Sequence, residues 1–362
     1  MAESRTFELA MSPHVEGPKT TRKVMTDVVI ALLPAAAAAV YFFGLRALLL
    51  VVLSVAAAMA AEYLCLKFMK RPVSFALDGS AAVTGILLAF NVPSSVPWWI
   101  PILGSAFAIV VGKQAFGGIG HNIVNPALLG RAFLVASFPV LMTAGWPAPS
   151  GYSGGTWPTS GISQERLAEI PGADAISGAT PLNVMKQTFD EEGMETRMGE
   201  GAPERVREEL SSPSTYWNLL VGKIGGCLGE TSGILLILGA AYLVARGVLE
   251  IRLPLSYLGT IALLGWVWGG AGWFDGDPLF HILAGGVLLG GFYMISDMVT
   301  TPVTKKGRII FGIGAGVITM VIRRWGGYPE GCSYSILLMN LVTPLIDRYT
   351  KPRALGEVRQ DG

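Results

Sequence analysis

Ten predominantly apolar stretches, many of them near bilayer-crossing length, constrain this chain more than anything else in it. A membrane helix needs about 20 mostly apolar residues, because the hydrocarbon core is about 30 Å thick. The stretches fall near 24–43, 45–66, 80–92, 97–112 and 122–141, then near 217–244, 254–273, 278–297, 308–323 and 333–347. Two of them, 80–92 and 308–323, are too short to cross as regular helix throughout. Irregular backbone at membrane depth is tolerated only where protein or a cavity surrounds it. Composition agrees with a membrane chain. Of 362 residues, 51% are hydrophobic and 15% charged, whereas soluble domains carry about 25% charge. An ordinary soluble enzyme is excluded, as is a disordered or collagen-like chain. The net charge of +1 leaves no global basic surface for nucleic acid. Cys65, Cys227 and Cys332 are scattered and odd in number, so neither a disulfide framework nor a CxxC metal site is encoded.

The expected fold is an all-α polytopic membrane protein of about ten transmembrane helices in two groups of five. A shift of 209 residues brings Pro93 onto Pro302, Gly117-Gly118 onto Gly326-Gly327, and Arg131 onto Asn340. Chance pairing of common Gly and Pro is the plainer alternative. Taken as real, it implies two five-helix repeats, the second inverted because five is odd, with broken or re-entrant helices and a site at their interface. The chain then divides into an N-terminal segment 1–23, a first repeat 24–142, a polar insert 143–216, a second repeat 217–347 and a tail 348–362. The insert holds eleven Asp/Glu against five Lys/Arg and is too long for a plain connector. Its 166–170 and 204–210 segments have the pattern of short helices. No cleavable signal peptide is visible. Basic residues cluster in segments that this count places inside, among them Lys67, Lys70, Arg71, Arg246, Lys305 and Lys306, so both termini are expected in the cytoplasm and the insert outside.

One motif carries chemistry. The insert contains Asp174-Ala175-Ile176-Ser177-Gly178-Ala179-Thr180-Pro181-Leu182. Gly178 and Ala179 are small enough for a bulky anionic group to approach the backbone, Thr180 offers an esterifiable hydroxyl, and Asp174 lies upstream as a metal or hydrogen-bond partner. Standing alone, the same residues read as a Ser/Gly turn before a proline. Elsewhere, Arg131 sits inside an apolar helix, where a central Arg costs about 2.5–3.5 kcal/mol on insertion scales. It either meets an interior anion or snorkels from a helix shorter than drawn. Asn122 and Asn125 follow the Gly117–Gly120 run, where a re-entrant element opening a helix would present free N–H groups to an anion or a carbonyl. As a dinucleotide fingerprint, GGIGHN is weak without a preceding strand. Glu230 reads as a cap near a helix start. Glu62, Asp78 and Asp297 read as solvated charges at span ends, and His281 as structural. Cys227 cannot hold an iron–sulfur cluster alone.

DAISGATPL resembles the flavinylation motif D-x-x-[ST]-G-A-[ST] of a family of membrane subunits. That family comprises the D-type subunit of the Rnf electron-transport complex and the B-type subunit of the sodium-pumping NADH:quinone reductase. The resemblance extends over SPHV at 12–15, DGSAAVTGILLAFNVP at 78–93 and GKQAFGGIGHNIVNPALLGRAF at 112–133. It continues through GGCLGETS at 225–232, HILAGGVLLGGFYMISDMVTTPVT at 281–304 and GGYPEGCSYSILLMNLVTPLID at 326–347. The short polar N-terminus is closer to the Rnf branch. The resemblance implies an FMN bound covalently through its phosphate to Thr180, with Ser177, Gly178 and Ala179 shaping the attachment turn. It also implies a flavin transferase for maturation and a place beside iron–sulfur subunits and an outward-facing flavoprotein subunit. It allows a second, non-covalent flavin such as riboflavin. The implied role is electron relay within a ferredoxin:NAD⁺ oxidoreductase that moves Na⁺ or H⁺ across the bacterial cytoplasmic membrane, with no complete active site in this chain. The alternatives are the quinone-reductase subunit itself and a solute channel or transporter with no redox cofactor.

Overall fold

The computed structural model describes residues 20–150, 159–162, 166, 172 and 178–351, with side chains of 74 and 75 left aside. Helix α1, Thr21–Phe43, starts where the Thr20 hydroxyl accepts the Lys23 N–H at 3.3 Å. It stops at Gly44, whose φ of +75° suits a residue without Cβ and turns the chain into α2, Leu45–Phe68. Helices α3, Ser80–Phe90, and α4, Trp99–Val110, pack against α2. The contact is close because Gly85 of α3 lies against the α2 backbone: a Cβ there would stand 2.7 Å from Val55 Cα. The Ser54 hydroxyl bonds the Gly85 carbonyl and the Ser105 hydroxyl, each at 2.7 Å, so small and hydroxylated residues join three helices. Asn125 caps α5, Pro126–Ser137, by accepting the Ala127 and Leu128 N–H groups. Pro139 then ends that direction and opens α6, Pro139–Thr143.

The insert is folded where it is described. Thr180 caps α7, Pro181–Gln187, and Asp190 caps α8, Glu191–Met198. In α9, Ala202–Leu210, the residues Ala202, Val206 and Leu210 recur every four positions and are all fully buried. This agrees with the helix expected over 204–210, while 166–170 lies outside the described residues apart from Arg166. The buried faces of α7 to α9 join the main apolar core with Leu182, Val184, Met194 and Met198. Helices α10, Pro213–Val221, α11, Gly233–Ala245, and α12, Arg252–Trp268, follow. After α13, Pro278–Leu283, come a short turn and a π-helical turn at Gly290–Met294. Helices α14, Lys305–Trp325, and α15, Cys332–Thr350, complete the described residues, and α12 packs along α14.

The all-α character is as expected, but the ten-span count and the paired five-helix repeats are not. Among the described residues three helical segments are long and apolar enough to cross a membrane: Thr21–Phe43, Leu45–Phe68 and Trp99–Phe116. Three more apolar helices are shorter: Ser80–Phe90, Pro126–Ser137 and Gly233–Ala245. The reason lies in the breaks. The 217–244 stretch is split between Val221 and Gly233, 122–141 breaks at Phe138, and 278–297 breaks after Leu283 where Gly285 has φ +73°. Helix α14 reaches 21 residues only by including Lys305, Lys306, Arg308, Arg323 and Arg324. The halves therefore do not present matching sets of five spans.

Glu62 corrects a second expectation. Its side chain is 2% exposed, not solvated, and pairs with Lys113, which is 4% exposed. Lys113 also donates to the Ser80 hydroxyl at 2.6 Å, and Gln114 Nε2 donates to Glu62 Oε1 at 2.9 Å. Losing one member of a buried pair strands the other charge, at about 3–5 kcal/mol. Lys113→Met is therefore expected to lower the unfolding midpoint in detergent sharply. Adding Glu62→Gln to it restores most of the loss, and a double variant as unstable as the single one refutes the account.

Candidate functional site

Five segments distant in sequence meet around a cavity of about 290 Å³. Its wall includes Thr180 at the start of α7, Arg131 of α5, Glu230, Glu330, and Ser333 and Tyr334 of α15. Trp146, Met142, Leu182 and Tyr328 supply apolar and aromatic surface, with the Tyr328 and Tyr334 rings stacked at 5.7 Å.

Arg131 organises this wall. Its Nη1 donates to Asn91 Oδ1 at 2.8 Å and to the Ser333 hydroxyl at 2.7 Å, and its Nη2 donates to Glu330 Oε2 at 2.7 Å. The pair is mostly buried, at 14% and 11% side-chain exposure. Arg131 therefore has an interior anion and does not snorkel. Glu330 also accepts the Gly286 N–H through its other oxygen. That approach requires glycine, since a Cβ on Gly286 would sit 2.5 Å from Glu330 Oε1. Burial opposes ionisation of Glu330, yet Arg131, its hydrogen bond and nearby Arg323 outweigh it and hold the carboxyl below its ordinary range. Arg323 donates to the His281 and Ala284 carbonyls at 2.6 and 2.9 Å, closing the end of α13 beneath the same loop.

The 224–230 loop carries Glu230 to the cavity. Pro93 and Cys227 form an antiparallel bridge, and the Leu228 N–H donates to the Val92 carbonyl at 3.1 Å. Burial, then the charge of Glu330, pushes the Glu230 carboxyl up to about 8, with Arg131 acting in the opposite sense.

Thr180 is 7% exposed, and its hydroxyl oxygen accepts the Asn183 N–H at 3.4 Å. The insert is held over the 324–328 region. Lys186 donates to the Gly326 and Tyr328 carbonyls, and Arg324 lies 4.1 Å above the Phe189 ring. Gly178 is exposed with open space where a Cβ would stand, and Ala179 packs partly against the core. Asp174 and Ser177 lie outside the described residues. Asn122 and Asn125 are not at this cavity. They line a second one of about 140 Å³ together with Lys113, Tyr293 and Asp297. Asn125 there bonds the Met294 carbonyl, and its own N–H donates to Asn340. No group of three or more His, Cys, Asp or Glu arranged for a metal ion occurs among the described residues.

Glu230 and Glu330 were not singled out as site residues. Glu330 had one signal, an acid in Gly-Gly-Tyr-Pro-Glu-Gly between two helices, a polar break that must satisfy its charge somewhere. Glu230 follows a glycine-rich run but looks like a cap.

The sequence matches the family described as NQR2, RnfD, RnfE over residues 8–356. It is 44% identical over 350 residues to the D subunit of the Na(+)-translocating ferredoxin:NAD(+) oxidoreductase complex of Acetobacterium woodii, covering 96% of this chain and 95% of the relative. It is 41% identical over 354 residues to the D subunit of the proton-translocating ferredoxin:NAD(+) oxidoreductase complex of Clostridium ljungdahlii, covering 98% and 97%. It is 40% identical over 342 residues to the D subunit of the ion-translocating oxidoreductase complex of Stutzerimonas stutzeri, covering 92% of each.

Two outcomes follow from the charges. Arg131→Met leaves Glu330 without its cation, and the loss falls near the lower end of about 3–5 kcal/mol because the pair is not fully enclosed. Denaturant titration in detergent measures it, and an unchanged midpoint contradicts the pairing. Glu230 holds its proton more tightly when folded than when unfolded. Stability from this group is therefore lost as pH rises from about 4.5 through about 8. Glu230→Gln is expected to remove that decline, leaving the variant the more stable chain above pH 8.

Proposed function

Because the chain belongs to the NQR2, RnfD, RnfE family, we propose that it is the D-type membrane subunit of an ion-translocating ferredoxin:NAD⁺ oxidoreductase complex, with FMN joined through its phosphate to Thr180. The observation that carries this reading is the position of Thr180, a buried residue with an esterifiable hydroxyl, on the wall of a cavity that Arg131 also lines. A turn of no chemical consequence has no reason to face such a space.

The residues present suit a flavin. Gly178 leaves open space beside the attachment point. The stacked tyrosines, Trp146 and Leu182 offer the broad apolar and aromatic surface that a planar ring system needs. Arg131 supplies the fixed positive charge that suits a phosphate or an electron-rich ring. Thr180, Gly178, Ala179 and Arg131 would hold the group, with Ser177 and Asp174 completing the attachment segment. Bound there, a flavin supplies one- and two-electron chemistry, while the protein positions and tunes it. Covalent attachment keeps it in place on a subunit that faces water on one side. The second cavity, with Asn122 and Asn125 on its wall, is the candidate place for a non-covalent flavin such as riboflavin.

The subunit acts within its complex. It receives and passes electrons between iron–sulfur and flavoprotein partners, and the transfer is coupled to Na⁺ or H⁺ movement. A flavin transferase installs the FMN. In this reading the chain spans the cytoplasmic membrane with both termini inside and 143–216 outside. The apolar faces of the membrane-length helices support the first part, since Leu45, Val52, Leu64 and Phe68 project outward at 54% exposure or more.

The test is the mass of the denatured chain from cells that carry the transferase, with mapping of the peptide 167–186. One FMN less one water on Thr180 is expected. Thr180→Ala abolishes it, and Thr180→Ser, which keeps both hydroxyl and cap, retains it. A bare Thr180 overturns the redox role and leaves a solute transporter as the alternative.

A further inference from the structure

Three of the five N–H donors of Arg131 go to Asn91, Ser333 and Glu330. Glu230 lines the same cavity and, among the described residues, forms no ion pair. The charged and titratable groups around it are Cys227 on its own loop, Arg131 from α5, Glu330 from the 326–331 loop and Arg323 from α14. The bonds of both arginines go to other partners. The Glu230 carboxyl is held by hydrogen bonds from the side chain and backbone of Cys227. A buried carboxyl on the cavity wall, without a bonded cation, feels charge added beside it at low dielectric.

We propose that Glu230 is the redox-linked proton acceptor of the Thr180 cavity, taking a proton from water when electrons enter the group held at Thr180 and releasing it when they leave. The inference rests on the flavin reading of Thr180 and deepens it. The electrons come from one redox carrier of the complex and pass to another. At Glu230 a single O–H bond forms between carboxylate and an aqueous proton, and the reverse step breaks it. Negative charge arriving in the cavity raises the proton affinity of a nearby carboxylate, and by linkage the proton favours the electrons in return. The Glu230 carboxyl is already raised to about 8 by burial and by Glu330. Uptake on reduction therefore occurs above that pH, where the carboxylate is present beforehand. The midpoint potential must then fall as pH rises beyond about 8.

The experiment uses the purified complex. The Thr180-bound flavin is titrated by its absorbance, with the Thr180→Ala complex subtracted to remove other flavins. Potentials are taken on both sides of pH 8, and infrared difference spectra are recorded on reduction. The wild type is expected to show the added fall in potential and a carboxylic C=O band that appears on reduction. Glu230→Gln lacks both. Glu230→Asp, should the amide variant fail to assemble, keeps the fall with its onset displaced. A Glu230→Gln complex with the wild-type slope and band overturns the proposal, as does a Glu230→Asp complex whose onset does not move. A bare Thr180 in peptide mapping removes the flavin reading and this inference together. A loaded Thr180 with an unchanged Glu230→Gln slope removes this inference alone.

Discussion

The bond between Arg131 and Glu330 ties α5 to the 326–331 loop, 199 positions away in sequence. A guanidinium among apolar helices has to be satisfied on several sides, and Arg131 is satisfied by α3, α15 and the 326–331 loop at once. Glu330 in turn accepts the Gly286 N–H, so the same pair reaches the break after α13. That loop also supplies the carbonyls that Lys186 grips, and through them the seat of α7 and Thr180. One buried charge thus sets the shape of a cavity to which helices far apart in sequence contribute.

The polar chemistry of the structure divides into two clusters with different settings. Around Glu62 and Lys113 the charges neutralise each other inside the helices, and the Glu62 Oε2 and Gln114 Oε1 atoms remain without hydrogen-bond partners. Around Thr180 the charges do not cancel pairwise, because two carboxyls share the space with one bonded guanidinium. The first arrangement favours a fixed charge state. The second leaves Glu230 buried on the cavity wall without a bonded cation, beside a carboxylate that already holds one.

Some of this was legible in the sequence, and the reasons are physical. Thr180 stood out because the chemistry of DAISGAT is local: small residues, a hydroxyl and a proline lie within nine consecutive positions. Arg131 stood out because a charge in an apolar helix is costly wherever its partner lies. The partner could not be read, since Glu330 is 199 positions away and only tertiary packing brings it near. The span count failed for a different reason. Apolar character reports that a residue avoids water without saying whether lipid or protein replaces it. Leu45 and Phe68 face outward, whereas Phe280, Ala284 and Val287 have equal apolar character and are wholly enclosed by the protein. Glu62 was misread on the same ground: its place near a helix end was visible, and Lys113 waiting there was not.

Thr180 does two jobs at one atom. Its oxygen caps α7, the same oxygen is the one that an ester bond would occupy, and the residue as a whole is 7% exposed. Capping and any ester would therefore draw on one and the same atom.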